Sequence, residues 1–143
     1  MDGPLTTLLR LLVLAPLAYI AALIAAATLV TFALFGGQID AETFPIAAGM
    51  SVGVMLYAGM ISFVPALITI ALAEVFRWRS LIAWLIAGGA IGLVCSETTM
   101  VFDGLTFAGN LRVICLAGGF VGGAVYWLIA GKLAGLPDLT ARA

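Results

Sequence analysis

The chain lacks histidine altogether, and charged residues make up only 9% of its 143 positions. Without histidine it has neither the commonest transition-metal ligand nor the usual general base at neutral pH. Two cysteines cannot complete a structural zinc site by themselves. The net charge of −1 argues against nucleic acid as a partner, because neutralising phosphates requires a basic surface. We therefore expect no metal, no cofactor and no nucleic-acid partner.

Long apolar runs are what the chain has instead, and hydrophobic residues account for 64% of it. A helix needs about 20 apolar residues to cross about 30 Å of hydrocarbon. Three of the four runs reach that length, and the third is shorter. The sequence predicts an all-α membrane protein, a four-transmembrane-helix antiparallel bundle forming one integral membrane domain over residues 1–143. The predicted spans are about 11–35, 46–73, 80–97 and 111–131.

The first apolar run has two features of a signal peptide, a preceding base at Arg10 and small residues at Ala25–Ala27. Its apolar length, however, exceeds the roughly 7–15 residues of a signal-peptide core. The segment Met1–Leu9 also carries Asp2 and no basic residue. We therefore expect an uncleaved first transmembrane helix.

The distribution of charge predicts the orientation of the spans. Five of the six basic residues fall on one side of a four-span arrangement, namely Arg10, Arg77, Arg79, Lys132 and Arg142. The other side holds Asp40, Glu42, Glu97 and Asp103, with Arg112 as its single base. The positive-inside rule then places both termini in the cytoplasm. Trp78, Trp84 and Trp127 fall on the same side, where aromatic rings anchor at the headgroup level. The short loops suggest a bacterial inner membrane.

Glycines spaced one helical turn apart are the densest motif. The pairs are Gly49/Gly53, Gly88/Gly92, Gly118/Gly122 and Gly119/Gly123. In lipid, helices associate through close packing rather than through the hydrophobic effect, and small residues allow the backbones to approach. One interpretation is packing within the bundle. The other is that one glycine face is reserved for another membrane subunit or a second copy of the chain.

Two residue pairs are predicted near the outer end of the hairpin formed by spans three and four. Cys95 and Cys115 would reach a similar depth there, so they are either a disulfide or two small apolar fillers. Glu97 and Arg112 would lie at the mouth of the same hairpin. An ion pair at the headgroup level accounts for them, and a ligand-binding role is the alternative.

Transport would require polar or ionisable groups at mid-membrane depth. The deep polar residues are uncharged, and those that could form a path between protomers are Thr28, Ser51, Tyr57 and Ser62. In size and span number the chain is similar to small multidrug transporters, but their buried glutamate is missing. Small fluoride channels are also glycine-rich and four-helical, yet their asparagine motif is at most faintly present at Gly109–Asn110. Neither resemblance carries site residues over.

We therefore expect a small polytopic membrane protein without catalytic machinery. It would be a subunit or assembly partner that acts through glycine-rich packing faces, in contact with membrane lipids and with copies of itself or other membrane subunits. The alternative is a small homo-oligomeric transporter or channel with its path between protomers. The sequence offers no Ser–His pair, no paired aspartates and no set of metal ligands, so we do not expect an enzyme.

An internal repeat at an offset of 69 residues is a further hypothesis. It aligns Gly53 with Gly122 and Tyr57 with Tyr126. Two hairpins of the same orientation would result, related by an axis along the membrane normal. In so biased a composition chance matches are frequent, so coincidence stays open as the alternative.

Overall fold

A computed structural model describes residues 13–76, 80–99 and 110–131. Within these ranges the chain is helical apart from short turns. Several residues of the charge argument lie outside them, namely Arg10, Arg77, Arg79, Asp103, Lys132 and Arg142, together with Trp78. The orientation inferred from those charges therefore stays a prediction.

Four helices, each long and apolar enough to span a membrane, make up the described part of the chain. They are α1 (Ala15–Leu34), α2 (Phe44–Phe76), α3 (Leu81–Thr99) and α4 (Leu111–Ile129). The prediction of an all-helical chain with four such helices is confirmed.

Two glycines end α1 at the start of its connection to α2. Gly36 and Gly37 adopt φ values of 67° and 79°, which side chains with a Cβ rarely tolerate. The amide of Gly37 donates to the carbonyl of Phe32 at 2.9 Å, a bond typical of helix C-termini. A few residues later the amide of Asp40 donates to Oγ1 of Thr43 at 2.9 Å, immediately before α2 begins.

Helix α3 becomes long enough to span because polar residues extend the third apolar run. Ser96 Oγ donates to the carbonyl of Leu93 at 2.7 Å, and Thr98 Oγ1 donates to that of Cys95 at 2.9 Å. These bonds return the hydroxyl groups to the helix itself, which lowers the cost of placing them in or near lipid. The helix thus continues past Cys95 to Thr99.

The helices form a closed bundle in which each contacts its neighbours in chain order and α4 returns to α1. The α3–α4 contact is the most extensive and the α2–α3 contact the least. The buried core consists of Ala18, Ala22, Ala73, Trp84 and Tyr126. The rings of Trp84 and Tyr126 pack with centroids 4.6 Å apart. This core joins the early turns of α1 and α3 to the last turns of α2 and α4.

Helices α3 and α4 touch backbone to backbone through glycine. A Cβ added to Gly88 would overlap the carbonyl oxygen of Gly119, and one added to Gly123 would overlap that of Trp84. At Gly92 the obstacle is the carbonyl of Cys115. Because the obstacles are backbone atoms, they cannot move aside as a side chain would. The two helices can lie this close only while these positions carry no side chain.

This contact predicts opposite effects for two Gly→Ala substitutions. Gly88→Ala should lower the free energy of unfolding by about 1–3 kcal/mol, because the new methyl group must push α4 away. Gly49→Ala is the matched control, since a Cβ there meets no heavy atom within 4 Å. It should be neutral or raise stability by up to about 1 kcal/mol through helix propensity. Unfolding in mixed micelles of rising SDS content measures both. Equal midpoints for the two variants would contradict the backbone contact.

Candidate functional site

A half-open cavity of about 470 Å³ is lined by all four helices. Glycine and alanine supply much of its wall, and larger side chains such as Tyr57, Trp84 and Tyr126 complete it. None of the described residues that line it carries a charge. The cavity exists because small side chains on facing helices leave volume that the neighbouring side chains do not fill.

One hydrogen-bonded group joins α1 to α2 at the cavity wall. The hydroxyl of Tyr19 donates to the carbonyl of Gly59 at 3.0 Å, and its oxygen lies 2.8 Å from Oγ of Ser62. The single phenolic proton is used on the carbonyl, so Ser62 acts as the donor to Tyr19. The ring of Tyr19 also meets Phe63 edge to face, with centroids 6.4 Å apart. The hydroxyl groups of Tyr19 and Ser62 therefore form their hydrogen bonds within the protein, without a ligand.

Of the polar residues expected to form a transport path between protomers, only two line the cavity. Tyr57 and Ser62 line the cavity, whereas Thr28 and Ser51 are outside its lining. The hydroxyl of Thr28 donates to the carbonyl of Ile24 at 2.7 Å and is exposed. Sequence analysis missed Tyr19, although a lone tyrosine in an alanine-rich span indicates a hydroxyl that needs a partner in lipid.

The eight glycines of the sequence motif fall into three groups. Gly88, Gly92, Gly119 and Gly123 form the α3–α4 contact. Gly118 and Gly122 face α1, where a Cβ would lie 2.8 Å from Cγ2 of Val30 and 3.4 Å from the carbonyl oxygen of Ala22, respectively. Gly49 and Gly53 are exposed, and a Cβ at either meets no heavy atom within 4 Å. The pair on α2 therefore has no packing role among the described residues.

Glu97 and Arg112 link the end of α3 to the start of α4. Arg112 Nε lies 3.0 Å from Oε1 of Glu97, and a terminal guanidinium nitrogen donates to Oε2 at 3.2 Å. Two parallel bonds of this kind are the geometry that guanidinium and carboxylate groups prefer. Both side chains are more than half exposed, so the pair contributes at most about 1 kcal/mol in a solvated environment.

Cys95 and Cys115 are present as thiols, half-buried on α3 and α4. Both line the cavity, on the facing helices that the glycine contact holds together. Whether they form a disulfide in the cell stays a prediction. Among the described residues, no group of three or more His, Cys, Asp and Glu could hold a metal ion.

No protein-family model, curated protein or solved structure matches this chain. The structure itself presents two candidate surfaces. They are the half-open cavity and the exposed glycine pair of α2, of which Gly53 belongs to both.

The ion pair predicts a measurable coupling between Glu97 and Arg112. Glu97→Gln and Arg112→Gln should each destabilise the bundle slightly, and the double variant should lose less than their sum. The coupling free energy should be about 0.2–1 kcal/mol and should fall as salt is added. A double-mutant cycle of SDS unfolding measures it. Strictly additive effects would show that the two side chains do not interact.

Proposed function

We propose that this chain is a non-catalytic subunit or assembly partner in a bacterial inner membrane, and that it binds another transmembrane segment through Gly49 and Gly53. The observation that supports this proposal is the unequal use of the four glycine pairs. Three pairs contact neighbouring helices of the same chain, while a Cβ added at either glycine of the α2 pair would meet no heavy atom within 4 Å. An unused pair of glycines is therefore available for a second polypeptide.

The physical basis is the short distance at which glycine lets helices approach. Each glycine exposes backbone that a partner helix can reach, with dispersion contacts and weak Cα–H···O bonds along the contact. Exposed apolar side chains flank the pair, among them Val52 and Leu56, at 54% and 61% exposure. A partner helix with small residues of its own fits this surface. That partner is a second copy of the chain or a different membrane subunit.

The proposed arrangement is an antiparallel bundle with both termini in the cytoplasm. The buried core supports the antiparallel part, because it joins early turns of α1 and α3 to late turns of α2 and α4. The distribution of basic residues in the sequence supports the cytoplasmic location of both termini. Glu97 and Arg112 would then lie at the outer headgroup level.

A homo-oligomeric transporter or channel is the second candidate. The uncharged cavity wall, with Tyr57 and Ser62 in it, is the feature that favours such a path. Thr28 and Ser51 lie outside this cavity, where a neighbouring protomer would have to complete the path. Flux of a solute through liposomes containing the purified chain would support this candidate over the first.

Assembly provides the main test. Gly53→Leu should reduce the assembled fraction roughly tenfold or more, because a leucine blocks backbone approach at the contact. Ala48→Leu is the matched control on α2, about 7.5 Å along the helix from Gly53, since Ala48 is exposed and is not part of the glycine pair. Native mass spectrometry after mild-detergent extraction measures the complexes. If both variants assemble as the unmodified chain does, α2 does not bind a partner through these glycines.

The orientation predicts the activity of reporter fusions. A fluorescent protein fused after Ala143 should fluoresce, and alkaline phosphatase at that position should be inactive, because the carboxyl terminus is cytoplasmic. Phosphatase inserted at Gln38, between α1 and α2, should be active. The reverse pattern would invert the proposed topology.

A further inference from the structure

The two cysteines of the chain lie on the surfaces through which α3 and α4 face each other. Cys95 follows Gly88 by seven residues, about two helical turns, so it lies on the face of α3 that contacts α4. Cys115 is itself part of the contact, because its carbonyl group occupies the space that a Cβ on Gly92 would need. Both cysteines also line the half-open cavity, so they are on the same side of the helix pair.

The contacts between the two helices place the cysteines at a similar depth. Gly92 of α3 contacts Cys115 of α4, and further along α3 Glu97 pairs with Arg112. Moving forward along α3 therefore moves the contact back along α4. Cys95 lies between Gly92 and Glu97, so the position opposite it falls between Cys115 and Arg112. The offset of the two cysteines along the helix axis is then at most about 4.5 Å, the rise of three residues.

The backbones are close enough at this point for a disulfide. A Cβ added to Gly92 would lie 3.1 Å from the carbonyl carbon of Cys115. With carbon–carbon bonds of about 1.5 Å, the Cα atoms of Gly92 and Cys115 are therefore at most about 6 Å apart. Disulfides join cysteines whose Cα atoms are usually about 4.4–6.8 Å apart. The spacing between the two helices thus falls in the range that a disulfide requires.

We propose that Cys95 and Cys115 form a disulfide within the chain at the outer end of α3 and α4. The proposal rests on the orientation given under the proposed function, which turns this end towards the oxidising periplasm. The oxidant is a periplasmic protein disulfide. One cysteine attacks it to form a mixed disulfide, and the second cysteine displaces the oxidant. One Sγ–Sγ bond forms and one breaks, and the oxidant leaves as two thiols that carry the two electrons and two protons.

A bridge at this position continues the helix contact past the last glycine. Gly92 is the last glycine of α3, so each later residue of the helix carries a side chain that holds the two backbones apart. The exposed ion pair of Glu97 and Arg112 adds little beyond it. A covalent bond therefore joins the helices where the glycine contact ends, and it also restricts the unfolded chain.

Alkylation of the chain taken directly from cells tests the proposal. Cells are quenched with acid, and the protein is dissolved in SDS with a maleimide that carries a large polyethylene glycol. We expect no shift in gel mobility before reduction and a shift by two polymer units after it. Two polymer units without reduction would overturn the proposal. A dimer that disappears on reduction would show pairing between chains and would overturn it as well.

The matched control moves one thiol by a single residue. In a Val94→Cys/Cys95→Ser variant the thiol stays at nearly the same depth but is turned by about 100° about the axis of α3. Val94 is 50% exposed, so this face does not meet α4. We expect two polymer units without reduction, and gel filtration in detergent establishes that the variant is folded. A disulfide within this variant, formed to the same extent as in the unmodified chain, would overturn the assignment of the pair by geometry.

Stability provides a second measurement. Reduction of the purified chain should lower its midpoint of unfolding in SDS, because the restraint on the unfolded state is removed. The midpoint of Cys95→Ser should not change on reduction. Equal midpoints for the oxidised and reduced forms of the unmodified chain would contradict a bridge that holds α3 to α4.

Failure of the disulfide can be distinguished from failure of the proposed function. The reporter fusions at Gln38 and after Ala143 test the orientation without either cysteine. If they give the expected pattern and both thiols are still alkylated in cells, the disulfide is overturned and the orientation stands. If they give the reverse pattern, the orientation and the disulfide in cells are both overturned. Assembly through Gly53 involves neither cysteine and is measured separately.

Discussion

Backbone contact between α3 and α4 is the constraint on which the rest of the bundle depends. Gly88, Gly92, Gly119 and Gly123 bring the carbonyls of each helix against the other, so a side chain at any of these four positions would clash with the facing backbone. In lipid no hydrophobic force gathers the helices, and contact at this distance provides dispersion energy in its place. Helix α4 then offers Gly118 and Gly122 to α1, which attaches the first helix to this pair.

Helix α2 is attached to the bundle through hydrogen bonds and the core rather than through glycine contacts. The cavity results from this looser attachment. Its hydrogen bonds to α1 are made by the Tyr19–Gly59–Ser62 group, and its last turns join the core through Ala73. It has little contact with α3. A helix attached on one side and at one end leaves space beside it, and small residues on α1, α3 and α4 enlarge that space. The assembly proposal concerns this helix, because it has the fewest internal contacts of the four.

Much of the fold could be predicted from local pattern. The four apolar helices follow from hydropathy, and the end of α1 follows from Gly36–Gly37.

The site could be predicted only in part. Gly49/Gly53 and Gly88/Gly92 are the same motif in the sequence, yet one pair is open and the other is buried against backbone. Tyr19 and Trp84 have no sequence feature that places them at a cavity. The suggested repeat pairs Gly53 with Gly122 and Tyr57 with Tyr126, and all four line the cavity.

The sequence by itself predicted that the helices of this protein lie in lipid, and it predicted how many long helices there are. Apolar length and the scarcity of charge are local properties, and lipid requires every backbone group to bond within its own helix. The tertiary structure alone decided which glycines meet a neighbour, which hydroxyl groups satisfy one another and where volume stays unfilled. Those outcomes depend on how helices rotate and tilt against each other. Side chains from all four helices must be in position before a cavity has walls.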